Sequence, residues 1–353
     1  MRAWAVIENG ADLQELELPT PEPQGTEVLL EVTHCGVCHS DLHIWEGHYD
    51  LGGGKRMSLK DRGVVLPLAM GHEIVGRVAK LGPDADGVAV GDVRIVYPWL
   101  GCGECDRCRA EEDNMCTVAS RSLGVYQNGG YGTHVVAPHP RHLIDPGTLD
   151  PAVAATYACS GITVYSAVRK VLPMPPTEPI VLVGAGGLGL NAIEILKALG
   201  HKAIVAVDLS AEKLKAATAA GATAVVDAST PGTEERILDA CDGRPVMAII
   251  DLVNGTATAA FGFQVLRKGG KLIQVGLFGG EMTLPLPLMA MRALTVQGSY
   301  VGNPKELREL VALAQNGGIT ALPITPLPQS GANTALHRLR DGKVTGRIVL
   351  TAA

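Results

Sequence analysis

Apolar residues along the chain follow two rhythms, and one gives way to the other near residue 180. Over residues 1 to 150, alternating runs such as Glu27–Val32 and His72–Val78 put every second side chain on one face. That alternation predicts half-buried strands separated by turns. From Ile180 the pattern becomes short apolar runs, at Ile180–Val183, Ala203–Val207, Ala224–Val226, Met247–Ile250, Lys271–Val275 and Leu294–Gln297. Runs that are apolar on both faces suit a parallel sheet covered by helices. Between the first two, Ala192, Ile193, Leu196 and Leu199 share one stripe of a helix predicted over Leu190–Leu199, which completes a strand–helix–strand unit. The chain therefore reads as α/β, with a β-rich domain over 1–150 and a doubly wound parallel-sheet domain over 151–299. A Pro-rich joint lies at Leu172–Pro176, and the tail from about 300 to 353, with its apolar run Gly346–Leu350, is expected to rejoin the β-rich domain.

Composition narrows the function classes. A chain of 353 residues is longer than one core usually fills, and 46% hydrophobic against 19% charged residues excludes disorder. The net charge of −6 offers no general attraction to nucleic acid or anionic lipid. Met1–Gly10 lacks the basic start and apolar stretch of a signal peptide, and no apolar run reaches membrane-spanning length. A cytoplasmic protein with a small-molecule partner, and neither nucleic acid nor membrane, is the expectation.

The sharpest local motif follows the first buried run. Gly184-Ala185-Gly186-Gly187-Leu188-Gly189 sits straight after a strand and opens a helix, the setting in which GxGxxG binds a dinucleotide. Gly184 permits the tight turn, Gly186 lets backbone approach a pyrophosphate, and Gly189 lets helix pack on sheet, while the helix N-terminus supplies free N–H groups. Asp208 ends the next strand, 19 residues beyond Gly189, where an acid accepts from the ribose hydroxyls. A 2′-phosphate beside it would be repelled by about 4 kcal/mol at 4 Å and an effective dielectric of 20. NAD is expected over NADP, with Lys213 offsetting part of that repulsion.

Eight cysteines carry the second signal. Cys102-x2-Cys105-x2-Cys108-x7-Cys116 lies among glycines and charged residues, a composition unsuited to a hydrophobic core. In a reducing compartment this spacing predicts a closed tetrahedral zinc site within a lobe at 101–117. An iron–sulfur cluster is the competing reading, although its cysteine run continues differently. Cys35-Gly36-Val37-Cys38-His39 is another CxxC, compatible with a redox dithiol or a second zinc ribbon. Spacing alone does not group it with Gly71-His72-Glu73 or with Ala158-Cys159-Ser160-Gly161.

As a set, Gly36-Val37-Cys38-His39-Ser40-Asp41-Leu42-His43, Gly71-His72-Glu73, the four-cysteine lobe, Cys159-Ser160-Gly161-Ile162-Thr163-Val164-Tyr165 and the glycine motif resemble the zinc-dependent medium-chain alcohol dehydrogenases over essentially the whole chain. The resemblance implies a GroES-like catalytic domain, completed by the tail, joined to a Rossmann domain with the active site between them. It also implies two zinc ions per chain. Cys38, His72 and Cys159 would hold the catalytic one, with Glu73 beside it and Asp41 orienting the histidine. Ser40 would sit next to the bound alcohol, His43 would end a proton relay, and His39 and Arg347 would reach the cofactor pyrophosphate. Tyr49, Trp99 and Tyr126 would line the substrate pocket. A homotetramer or homodimer is the assembly the resemblance implies. The implied reaction is reversible hydride transfer between a primary or secondary alcohol and NAD.

The chain departs from the shorter members of that family at Asp50–Val65, which carries Lys55, Arg56, Lys60 and Arg62. A lid with this charge at the pocket mouth would favour an ω-hydroxy acid. The alternatives are a polyol or formaldehyde dehydrogenase of the same superfamily, and a non-catalytic NAD-binding redox sensor switching through Cys35 and Cys38.

Overall fold

Two large sheets divide the chain in the computed structural model, which describes residues 1–320 and 322–352; residues 321 and 353, both within the predicted returning tail, lie outside the described residues. The first sheet runs in the order Leu143–Ile144, Val93–Val96, Glu73–Leu81, Val28–Gly36, Arg347–Thr351 and Ile324–Pro328, with His134–Ala137 also paired to Val28–Gly36. A three-stranded sheet of Gln14–Glu17, Arg2–Val6 and Leu68–Ala69 accompanies it. Within this sheet Arg347–Thr351 of the tail lies between Val28–Gly36 and Ile324–Pro328.

The second sheet has six strands, all pairing parallel, in the spatial order Ala224–Asp227, Ile204–Asp208, Ile180–Val183, Val246–Asp251, Leu266–Gln274 and Thr295–Gly298. Numbered along the chain this is 3-2-1-4-5-6, the doubly wound order whose switch point lies between the first and fourth strands. Ile180, Val181, Leu182 and Val183 are all buried, as a strand covered on both faces requires. The helix after it spans Gly187–Ala198 and so begins three residues before the predicted Leu190. Its first turn is glycine-rich and leaves no apolar stripe to read.

The helical stretch from Pro151 to Val171 joins the two units. It starts at Asp150, whose side chain accepts from Ala152 N and Val153 N, a cap that satisfies two otherwise unpaired donors. Ile162, Val164 and Val168 are buried in one continuous core with Val32 and Ile74 of the first sheet and Ile193 and Leu196 of the second unit. Because apolar packing is shared across the joint, both walls of the cleft have fixed partners. The stretch Asp50–Val65 forms a hairpin, His48–Gly52 against Lys55–Ser58, followed by a short turn at Lys60–Arg62. Lys55 and Arg56 are exposed. A side chain on Gly52 would collide with Gly280 and Glu281, and one on Gly279 with Asp50, so the hairpin tip meets a turn of the second domain backbone to backbone.

Candidate active site

Three remote segments converge where that joint meets the first sheet. Cys38 precedes the helix His39–Glu46, His72 precedes the strand Glu73–Leu81, and Cys159 sits in a π-helical turn, Tyr157–Gly161. Such turns insert one residue into a helix and often mark functional positions. The ligand atoms of Cys38, His72 and Cys159 lie within 4.8 Å of one another. The two sulfurs are 3.8 Å apart, the separation of about 3.8 Å that tetrahedral Zn–S bonds of about 2.3 Å impose. His72 is fully buried, yet neither ring nitrogen has an aligned hydrogen-bond partner. Orphaned buried polar atoms cost about 1–3 kcal/mol each, so the residues present fit an ion that one of these nitrogens would bind.

The surrounding charges are arranged for the same task. Asp41 is buried, its Oδ1 3.2 Å from His72 Nδ1 and its Oδ2 accepting from Cys38 N at 2.8 Å and from the Tyr131 hydroxyl at 3.3 Å. Burial alone would lower the His72 pKa, but Asp41 and the Cys38 sulfur outweigh it and hold it well above the usual value. The adjacent Cys159 sulfur draws the Cys38 thiol down, and Cys159 rises in exchange. Glu73 is ion-paired with Arg347 and accepts from Ser160 N at 3.1 Å. Burial raises its pKa to about 7 against the pull of Arg347. The carboxylate fits only because Gly36 has no side chain there.

The remaining predicted residues fall around this cluster. Ser40 Oγ is 3.9 Å from Cys38 Sγ. His43 lies three residues further along the same helix, its pKa lowered by burial, its ring 4.7 Å from Tyr49. Trp99 packs on the His72 ring at 5.1 Å and donates to Ala158 O at 3.1 Å. Burial, then Tyr300, Cys38 and Tyr126, raise the Tyr49 pKa, which places these groups in one neighbourhood. His39, exposed, has Cys38, Arg347 and Lys213 as charged neighbours.

Towards the second sheet, Gly184 adopts φ 101°, and a side chain on Gly189 would strike Gly184 O. Open space lies where a Gly186 side chain would be, and the helix starting at Gly187 has no side-chain cap. A Gly187 side chain would meet Arg347. Asp208 Oδ2 accepts from Ala185 N at 2.7 Å, which puts its carboxylate at the lip of this cradle, with Leu188 half-buried alongside. The open space and the free N–H groups fit the pyrophosphate of a dinucleotide.

The four-cysteine lobe is a separate centre. The ligand atoms of Cys102, Cys105, Cys108 and Cys116 also lie within 4.8 Å of one another, with sulfur separations of 3.5, 3.8 and 4.0 Å for the pairs 105/108, 105/116 and 102/108. Backbone N–H groups of Cys102, Glu104 and Cys105 donate to its sulfurs. Burial would raise Cys116, but backbone donors of Ala119, Cys102 and Val118 bring it to about 6, while burial pushes Cys108 up to about 12. Four sulfurs this close together form a set that a dication would deprotonate.

Cys35 belongs to neither centre. It is buried in the strand Val28–Gly36 against Gly71 and Gly130, and burial holds its thiol well above the usual range. A thiol so placed is a poor redox switch. Sequence reasoning missed Tyr300, which stands edge-on to Trp99 at 6.0 Å, and Asn191, whose Nδ2 donates to Ser160 Oγ at 3.1 Å. Neither belongs to a motif; the aromatic after the last parallel strand was the one available hint.

Residues 24–145 match the family model described as an alcohol dehydrogenase GroES-like domain, and residues 187–316 that of a zinc-binding dehydrogenase. An NAD-dependent alcohol dehydrogenase of Sulfurisphaera tokodaii is 37% identical over 99% of both chains. One of Saccharolobus solfataricus is 36% identical over the same shares. The alcohol dehydrogenase structure from Aeropyrum pernix superposes with a TM-score of 0.90 at 32% identity, covering 99% of this chain and 100% of that one.

Proposed function

Because the chain belongs to the zinc-dependent medium-chain alcohol dehydrogenases, we propose that the cleft holding Cys38, His72 and Cys159 is where it oxidises small primary or secondary alcohols with NAD. The observation that carries this reading is the convergence of one imidazole and two sulfurs within 4.8 Å of one another, beside a dinucleotide cradle. Cys38, His72 and Cys159 would hold one zinc and the four-cysteine lobe another. A zinc in the cleft supplies Lewis acidity towards the alcohol or carbonyl oxygen, and NAD accepts the hydride.

The chain's own residues do the rest. Asp41 keeps the His72 ring in place, as a carboxylate behind a ligating histidine does. Ser40 takes the hydroxyl proton, and His43, one turn further along the helix, passes it outward; its lowered pKa keeps it a base near neutrality. Gly186, Gly187, His39 and Arg347 would face the pyrophosphate, and Asp208, with Lys213 near, would read the ribose. Tyr49, Trp99, Tyr126 and Tyr300 wall the pocket. We assign residues 1–150 with the tail from about 300 to the catalytic domain and 151–299 to cofactor binding.

The hairpin's positive residues are exposed and its tip lies against Glu281, so we infer no preference for carboxylate-bearing alcohols; equal KM for neutral and ω-hydroxy-acid substrates of one length is expected. We further infer a homodimer or higher oligomer. Thr295–Gly298 is the open edge of the parallel sheet, and the nearby helix Leu286–Met291 exposes Leu286 and Met291, features that a second copy would cover. No helix among the described residues is long and apolar enough to cross a membrane. The eight free cysteines suit the reducing cytoplasm. An NAD-linked screen of primary, secondary and aromatic alcohols, run with metal analysis, tests the reading: zinc at one ion per chain without turnover overturns it.

A further inference from the structure

Val301 stands in the left-handed region with φ 38°, a conformation disfavoured for any side chain and most of all for a β-branched one. Strain of this kind persists only where neighbours over-determine it, and it gathers at sites that grip a ligand. The neighbours here are specific. Asn114 Nδ2 donates to Tyr300 O at 3.1 Å, and the fully buried Tyr97 hydroxyl donates to Gly302 O at 2.8 Å. Ser299 N donates to Gln274 O at 2.8 Å. Downstream, Asn303 caps the helix Pro304–Gln315, its Oδ1 accepting from Glu306 N at 2.8 Å while its own N donates to Glu306 Oε2 at 3.0 Å. Both carbonyls flanking Val301 are thus held, and the chain beyond them is fixed.

Two of these anchors come from the first domain. Asn114 belongs to the four-cysteine lobe, and Tyr97 follows the strand Val93–Val96. The lobe grips the same region a second time, where Arg308 Nη2 donates to both carboxylate oxygens of Glu111 at 2.7 and 2.8 Å. What the held turn presents is Tyr300. Its side chain is among the exposed large ones, with 53% of the residue accessible, yet its ring stands 6.0 Å from Trp99, which itself packs on His72. The Ser122 side chain also bonds the Tyr300 hydroxyl, so the held backbone and this contact together direct the ring towards Trp99.

We propose that Asn114 and Tyr97 are positioning residues for Tyr300, so that the four-cysteine lobe, through hydrogen bonds to a strained turn, sets the reach of the substrate cleft and discriminates bulky aromatic alcohols from small ones. The inference rests on alcohol oxidation at this cleft. Its test uses the zinc-loaded enzyme with Asn114→Ala and, separately, Tyr97→Phe, which keeps the buried ring. Steady-state constants with NAD are measured for benzyl alcohol and for ethanol, together with amide exchange of the peptide spanning residues 298–303. Loss of one anchor is expected to change the KM for benzyl alcohol about fivefold, the effect of one hydrogen bond. The KM for ethanol and kcat for both should stay within about twofold, zinc should remain at two per chain, and exchange at residues 300–302 should quicken. An unchanged ratio of the two KM values in both variants overturns the proposal, as does an equal shift for both alcohols. If the wild-type enzyme oxidises neither alcohol, the reading of the cleft falls on its own, and unchanged exchange in both variants then rejects the anchors as well.

Discussion

The four-cysteine lobe draws its ligands from one loop of fifteen residues, Cys102 to Cys116, whereas Cys38, His72 and Cys159 come from a helix start, a strand start and a π turn spread over more than a hundred residues. The lobe steadies its sulfurs with its own backbone N–H groups. The cluster in the cleft relies on side chains from elsewhere, Asp41 behind His72 and Arg347 against Glu73. A loop that supplies four ligands closes the coordination sphere and is suited to holding itself together. A cluster of three leaves one position free, and its geometry is only as good as the packing of the whole domain.

The largest effect separates the two centres outright. Cys38→Ala is expected to abolish turnover by a thousandfold or more and to leave one zinc per chain with a nearly unchanged Tm; Cys105→Ala should also leave one zinc but lower the Tm by several degrees, read by metal analysis and calorimetry. If both variants lose activity and stability alike, the distinction collapses. Next, Asp41→Asn should weaken metal retention in the cleft by about 10–100-fold while the lobe keeps its ion, followed by competition with a chelator; equal loss from both centres would mean that the two are not separately supported. A smaller effect, about tenfold, is expected of His43→Gln. The lowered pKa of His43 makes the wild-type group a base at neutral pH that is lost as pH falls through that pKa. The variant's deficit should therefore be plain near neutrality and close at alkaline pH, where hydroxide replaces the base; a pH-independent deficit in the kcat profile would remove His43 from the relay. The smallest concerns Asp208→Ala, which should raise the KM for NAD several-fold and narrow the preference over NADP, measured as a ratio of kcat/KM values.

The same contrast explains what was legible beforehand. The lobe and the glycine motif are local, so residue spacing displays them, and strands such as Ile180–Val183 are apolar on both faces. The strand Leu266–Gln274 begins five residues before the predicted Lys271, because Arg267-Lys268-Gly269-Gly270 interrupts its apolar pattern. The grouping of Cys38 with His72 and Cys159 was available only through the family resemblance, since no spacing rule joins segments that the fold brings together. Tyr300 and Asn114 were invisible for a further reason: their role depends on hydrogen bonds to main-chain carbonyls and on one strained residue, and neither leaves a mark on side-chain pattern.

The placement of Arg347–Thr351 inside the first sheet has a consequence for how the protein is made. The ribosome delivers the strand Val28–Gly36 and then its partner Arg347–Thr351 only about three hundred residues further on, tens of seconds later at about 5–20 residues per second. Through that interval the first sheet has an unfilled slot, open to mispairing, while the strands of the parallel sheet, contiguous in sequence, are free to assemble during translation. Newly made chains waiting at that stage should be the ones that chaperones bind.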